Sequence, residues 1–355
     1  MAPRAQVAAL AVAGERPDHW LVIDEYGSFL GLHGERLRVT VNGEVRVERA
    51  LVGLEHVLVV AHGVACSSDA LRACAEHGVP VTFVSSLGKP YARVVAPELT
   101  GTVQTRRQQL LAYYDQRGVH LAKAFAMAKL RNQAVLLKYM AKYRQHTEPE
   151  VFAIAREAAF VCEDLARQVE ETQGADTEAV RLPLMALEAQ GARHYWDAAR
   201  LLVRPDLAWP RRETRGAADL VNQLLNYGYG ILYAQVEQAI LLAGLDPYGG
   251  YLHEDRPGKI SLVLDLIEEF RQPVVDRAVF ALLNQRVAVG QDADGRLDRA
   301  TRQVVVRRVQ ERLESPEPFR GRRPRLRTIL QGQARALATY LRGDSGPYVP
   351  YVSRW

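Results

Sequence analysis

In the stretch GYLHEDRPGKISLVLDLIEEFRQPVVD, residues 250–276, a histidine and several carboxylates are spaced as a divalent-metal site needs them. His253 stands in a Gly/Pro-rich loop, and the apolar segment after it carries Asp265 and Glu268. If that segment is a helix, carboxylates three residues apart share a face. Leu262, Val263, Leu266, Ile267 and Phe270 would hold the other face against a core. Carboxylates on a rigid, half-buried helix, met by an imidazole from a neighbouring loop, are donors suited to such an ion. The same residues fit a solvated acidic helix beside an ordinary loop histidine at least as well. A further anchor is required, and Glu188 in LMALEAQGARHYW is the best candidate. Leu187, Tyr195 and Trp196 can root its helix, while Ala186, Ala189, Gly191 and Ala192 leave room for a bulky substrate backbone. Taken alone, Glu188 reads more readily as a solvent-facing glutamate on an alanine-rich helix.

Charge suggests what such a site would act on. The chain carries a net charge of +5, and its arginines are clustered. Arg204, Arg211, Arg212 and Arg215 precede the histidine loop; nine arginines between Arg302 and Arg327 face only Glu311, Glu314 and Glu317. Guanidinium forks suit phosphate oxygens, so arginines flanking carboxylates point to a phosphodiester. A solubilising surface is the competing reading. Asn222, Asn226, Tyr227 and Tyr229 fall in a helix that can line the site and hydrogen-bond phosphate, although the two tyrosines fit core packing equally well.

The elements that must position these residues divide the chain in two, as 355 residues allow. From about Leu21 to Ala96 the hydrophobic period is two. Leu37, Val39 and Val41 alternate with polar residues up to Asn42-Gly43, a strong hairpin signal, and Val45 and Val47 resume the alternation. Val57–Ala61 and Val79–Val84 read as buried strands. Ser67-Ser68-Asp69 caps a short helix ending at Gly78, and Gly88-Lys89-Pro90 turns into a last strand, Tyr91–Val95. Nothing in this half looks catalytic; its expected job is to dimerise or to hold the larger half.

Beyond Pro97 the pattern is helical: Gln108–Arg144 (broken near Gly118), Pro149–Glu171, Thr177–Val203, Ala217–Ala243, Ser261–Gln285, Leu297–Leu313 and Arg325–Leu341. Pro183 and Pro273 are expected to break or kink two of these. The basic residues of the first long helix, Arg106, Arg107, Lys123, Lys129, Arg131, Lys138 and Lys142, read mostly as a solvated face. The expectation is an α+β chain: a small β-sheet domain with one short helix (1–97), a linker (98–102), an all-α catalytic domain (103–342) and a Pro/aromatic tail (343–355) that is either disordered or docked on a partner. Cys66, Cys74 and Cys162 are too few and too scattered for a disulfide framework and suit a reducing cytoplasm. No apolar run approaches a membrane span, and the N-terminal VAALAVA reads as an uncleaved tail.

Three segments in order resemble the CRISPR-associated protein one family, the integrase of CRISPR adaptation. LMALEAQGARHYW is similar to the family's E-G-x-x-A-x-x-Y-F/W motif, with Ala189 where glycine is usual. DLVNQLLNYGYGILYAQVEQAILLAGLDPYGGYLHED resembles its N-x-x-L-x-Y-x-Y … G-L-D-P-x-x-G-x-L-H block, and SLVLDLIEEFRQPVVD its S-L-x-x-D-L-x-E-x-F-R-x-x-x-x-D. The resemblance implies that Glu188, His253 and Glu268 are the metal ligands and catalytic residues, with Asp265 a nearby supporting acid. One nitrogen and two oxygens suit Mg²⁺ or Mn²⁺. It further implies a homodimer that works with CRISPR-associated protein two on double-stranded DNA, joining the 3′-hydroxyl of a captured fragment to a CRISPR repeat. His194 and the arginines would then meet DNA. A hydrolase of another phosphoester and a non-catalytic helical DNA-binding scaffold are the alternatives.

Overall fold

The computed structural model describes residues 19–85, 88, 90–94, 103–204, 206–214 and 216–354. Arg215, Lys89, the 98–102 linker and VAALAVA lie outside them. The first half forms eight strands, β1 (Trp20–Ile23), β2 (Ser28–His33), β3 (Arg36–Val41), β4 (Glu44–Ala50), β5 (His56–Val59), β6 (Ala65–Cys66), β7 (Val81–Val84) and β8 (Pro90–Val94), with one helix, α1 (Ser68–Glu76). They make two four-stranded sheets, ordered β1-β5-β7-β8 and β4-β3-β2-β6. The β3–β4 hairpin turns on Asn42 and Gly43, both at positive φ (51° and 84°), as a two-residue hairpin turn needs. Ser67 caps α1, its hydroxyl accepting the Ala70 amide at 3.1 Å, and Gly78 follows its end in the left-handed region. Strand β5 is buried on both faces: Val57 and Val59 pack into the sheet core, while Leu58 joins the core of the helical half. That is why its sequence is an unbroken apolar run.

The second half contains α2 (Val103–Ala112), α3 (Gln116–Ala141), α4 (Pro149–Glu171), α5 (Thr177–Leu202), α6 (Leu220–Leu242), α7 (Ser261–Leu266), α8 (Arg277–Asn284), α9 (Arg299–Glu314) and α10 (Leu326–Arg342). Together the halves give the α+β class read from the sequence. Helix α3 is the hub, buried on nearly every side, and small residues let α5 lie close against it. A Cβ on Gly191 would sit 2.1 Å from Leu130 Cδ2. The small residues around Glu188 therefore include one that serves helix packing, where the sequence suggested room for substrate.

Other details correct the sequence reading. The break expected near Gly118 falls just before it, at residues 113–115, where the Asp115 carboxylate caps α3 by accepting the Arg117 amide at 2.8 Å. Helix α5 runs through Pro183 without breaking. The helical stretch expected at 261–285, with a break or kink at Pro273, is α7, a tight turn at Ile267–Glu269, a wide turn at Arg271–Asp276 containing Pro273, and α8, so the irregularity begins several residues before the proline. The C-terminal tail is ordered against this chain's own helical half. The Ser353 amide donates to Asn132 Oδ1 at 2.9 Å, and the Tyr351 ring stacks on Phe270 with centroids 5.4 Å apart.

The halves meet along α6. Arg93 on β8 donates to the Ala234 carbonyl at 2.8 Å and pairs with Glu237 at 3.0 Å. The backbone at Gly88 lies directly on Gly230, where an added Cβ would fall 1.5 Å from the Gly88 carbonyl oxygen. No described helix is long and apolar enough to cross a membrane.

Candidate metal centre

Four parts of the chain converge on one small volume: α3 brings Lys129, α5 brings Glu188, the loop after α6 brings His253, and α7 with its following turns brings Asp265, Glu268 and Arg271. Asp265 is the keystone. It is fully buried; Oδ2 accepts the Tyr251 amide at 2.5 Å and the Leu252 amide at 3.1 Å, while Oδ1 accepts the His253 amide at 2.9 Å. These bonds pin the loop to α7. The approach requires Gly250, where a Cβ would lie 2.6 Å from Ser261 Cβ and 2.9 Å from Asp265 Oδ2.

Oδ1 also receives His253 Nδ1 at 2.8 Å. With Nδ1 as the donor, the lone pair rests on Nε2, which faces Glu268 Oε1 at 4.0 Å. A buried carboxylate fixing one imidazole nitrogen so that the other can ligate is a recurrent feature of metal-binding histidines. Glu268 is 2% exposed at its side chain, held by Arg271 Nε at 3.0 Å on Oε1 and by Lys129 Nζ at 2.9 Å on Oε2. The ammonium of Lys129 reaches Glu188 Oε1 as well. Burial alone would push the Glu268 carboxyl up, but Arg271, Lys129 and His253 outweigh it and hold the group below the usual carboxylate range. Burial opposes the Lys129 charge, yet Glu188 and Glu268 keep its pKa above the ordinary lysine value.

Two carboxylates and an imidazole with a fixed tautomer are donors that fit a hard divalent ion. Among the described residues, however, no three His, Cys, Asp or Glu side chains already close on a common point at ligating distance. The Lys129 ammonium stands between Glu188 and Glu268 and pairs with both.

A family model described as CRISPR associated protein Cas1 matches residues 21–311. The chain belongs to the Cas1 family. It is 36% identical over 346 residues to CRISPR-associated endonuclease Cas1 1 of Archaeoglobus fulgidus, a match covering 94% of this chain and 99% of that one. Among solved structures, a casposase bound to integration product superposes with a TM-score of 0.78 at 22% identity, covering 93% of this chain and 92% of that one. A chain of a Cas6-RT-Cas1–Cas2 complex superposes at 0.75 and 19% identity, covering 96% of this chain and 37% of the larger one. At these identities the likeness speaks for the fold.

In this Cas1 chain the acidic segment is not solvated: Asp265, Glu268 and Glu269 are all buried. The residues proposed for DNA divide. His194 is exposed on α5, and Arg211 is exposed and paired with Glu213 at 2.9 Å. Arg204 pairs with Asp206. Arg212 is turned inward, donating to Asn222 Oδ1 at 3.0 Å and Asn226 Oδ1 at 2.6 Å and stacking over Trp196 and Tyr229. Asn222 and Asn226 therefore brace the arginine loop rather than present amides to a ligand. Tyr227 and Tyr229 are core residues, and Tyr229 with Tyr195 donates to the buried Asp276 carboxylate. The arginine-rich 302–327 stretch is partly internal too. Arg312 is buried on the Pro273 carbonyl and Glu317, and Arg327 pairs with Glu314 and Glu55, while Arg307, Arg322 and Arg323 are exposed.

Sequence reasoning missed Lys129, placing it on a solvated face. Its signal was local: one lysine within AFAMAKL, a stretch apolar on every side. Arg271 was missed as a partner of Glu268 although it lies three residues on, a spacing that favours pairing.

Proposed function

We propose that this chain is a divalent-metal-dependent DNA endonuclease and integrase of CRISPR adaptation, which joins the 3′-hydroxyl of a captured duplex fragment to a repeat phosphodiester. The observation that carries this reading is the approach of Glu188 and Glu268 to one ammonium, with His253 Nε2 4.0 Å from Glu268 and its Nδ1 backed by buried Asp265. Glu188, His253 and Glu268 would hold the ion, Mg²⁺ or Mn²⁺. When bound, it supplies Lewis-acid polarisation of a phosphoryl oxygen and helps activate the attacking hydroxyl. The chain's own residues do the rest. Asp265 keeps the proton on His253 Nδ1, and Arg271 fixes one oxygen of Glu268 so that the other points toward Lys129 and Glu188. We assign phosphate contacts to His194, Arg211, Arg307, Arg322 and Arg323, all of which are exposed.

The relatives' names and the complexes resembled support DNA and Cas2 as partners. We assign dimerisation to the sheet half, which carries none of the site residues. The test is strand joining with labelled duplex DNA, a repeat-bearing plasmid, Cas2 and Mn²⁺. Glu188→Ala, His253→Ala and Glu268→Ala should each abolish joining while keeping most DNA affinity, because the ion acts on the transition state more than on phosphate contacts. Full joining by all three variants overturns the proposal and leaves a DNA-binding scaffold.

A further inference from the structure

Lys129 has no part in the ligand set proposed above, yet it bridges two of its three members. Its Nζ contacts Glu188 Oε1 and, at 2.9 Å, Glu268 Oε2. The pairing is internal: the side chains are 14% exposed for the lysine, 18% for Glu188 and 2% for Glu268. The two glutamates come from segments 80 residues apart in sequence, on α5 and the turn after α7, and they would repel each other without a cation between them. Arg271 does not take this role, because it is committed to the other oxygen of Glu268.

We propose that Lys129 is a resident counter-ion that competes with the divalent ion for Glu188 and Glu268, and so sets the metal concentration at which the site loads. The inference rests on the reading that Glu188, His253 and Glu268 hold the ion. The ammonium holds Glu188 Oε1 and the Glu268 oxygen that Arg271 leaves open, so an ion bridging the two glutamates competes with the lysine for the same carboxylates. Helix α3 cannot retreat to resolve the conflict, since Ala128, Leu130 and Asn132 beside the lysine are buried. Only the flexible side chain can move, and after it swings aside its positive charge remains near the dication and weakens binding. A lysine that merely completes the fold predicts unchanged affinity on its removal, and one that aligns the carboxylates for the metal predicts weaker binding.

Mn²⁺ binding to the full-length protein, read by titration calorimetry and by the electron paramagnetic resonance of free Mn²⁺, separates these cases. Lys129→Met and Lys129→Gln should bind Mn²⁺ about tenfold more tightly than wild type, because a unit positive charge beside a dication is removed. Their metal-free melting temperature should fall and their Mn²⁺-induced rise should grow, whereas Lys129→Arg should bind no more tightly than wild type. A second measurement needs no variant: Mn²⁺ should increase acetylation of Lys129 by a lysine-reactive ester, followed by mass spectrometry. Neutral variants that fold, by circular dichroism, and bind Mn²⁺ equally or more weakly overturn the proposal, as does Lys129 labelling that Mn²⁺ leaves unchanged or lowers. A wild type that binds no Mn²⁺, or that binds it as well after Glu268→Ala, instead overturns the metal reading beneath it.

Discussion

Asp265→Asn preserves side-chain volume while exchanging one acceptor oxygen for a donor amide. The native carboxylate serves two pairs of donors: Tyr251 and Leu252 amides on Oδ2, and the His253 amide and Nδ1 on Oδ1. An asparagine oxygen can keep only one pair, and its NH₂ must face the other. Turned toward Tyr251 and Leu252, the NH₂ would strand two backbone donors. Turned toward His253 it strands one, because the imidazole can change tautomer and accept through Nδ1. The second arrangement costs less, and a buried amide left without an acceptor costs about 1–3 kcal/mol. Stability should therefore fall by about 2 kcal/mol, read from urea denaturation. The tautomer change also moves the proton to Nε2 and removes the lone pair an ion needs, so Mn²⁺ affinity should fall about 10–100-fold in calorimetry. A variant matching wild type in both assays would refute the assignment of the His253 proton and the role given to Asp265.

Three further outcomes follow from other parts of the molecule. Gly191→Ala drives a methyl to 2.1 Å from the fully buried Leu130; overpacking costs about 1–3 kcal/mol, only partly offset by about 1 kcal/mol of helix propensity. Its melting temperature should drop, and a rise would show that α5 and α3 are not tightly packed there. Burial raises the Glu269 carboxyl from 4.5 to about 7, against donors from Tyr348, Tyr351 and Gln333. Its folded pKa lies above its unfolded one, so the stabilisation is full below about pH 4.5 and is lost as pH rises through about 7, a span of roughly 3 kcal/mol. Glu269→Gln should flatten the fall in stability with pH over that window; an unchanged slope would assign it to another group. Finally, DNA affinity should decline with ionic strength through the exposed arginines, and should decline less steeply in Arg322→Ala/Arg323→Ala; a flat salt dependence removes the phosphate role from that surface.

Much of the frame was legible because local chemistry and tertiary structure agreed. Asn42-Gly43 demanded a hairpin, Ser67 and Gly78 bracketed α1, and the helical period placed α4, α5, α6, α9 and α10 within a few residues of their ends. The site was legible through its motifs more than its physics: from the residues alone, a buried Glu268 and a solvated one carry the same spacing. What the sequence hid were pairings decided by long-range packing. Nothing local tells that Lys129 on α3 meets Glu188 and Glu268, or that Arg212 spends its guanidinium on Asn222 and Asn226 instead of on a ligand. The tail was opaque for the same reason. GPYVPYVSRW is too short to fold alone, and its order comes from Asn132, Glu269 and Phe270, all more than 75 residues away.

The meeting of Gly88 with Gly230 has a mechanical consequence. Where side chains separate two bodies, small rearrangements can be absorbed by rotamers; here main chain rests on main chain and there is nothing soft to yield. Gly88 therefore ties the sheet half by its main chain to α6, the helix that leads into the histidine loop.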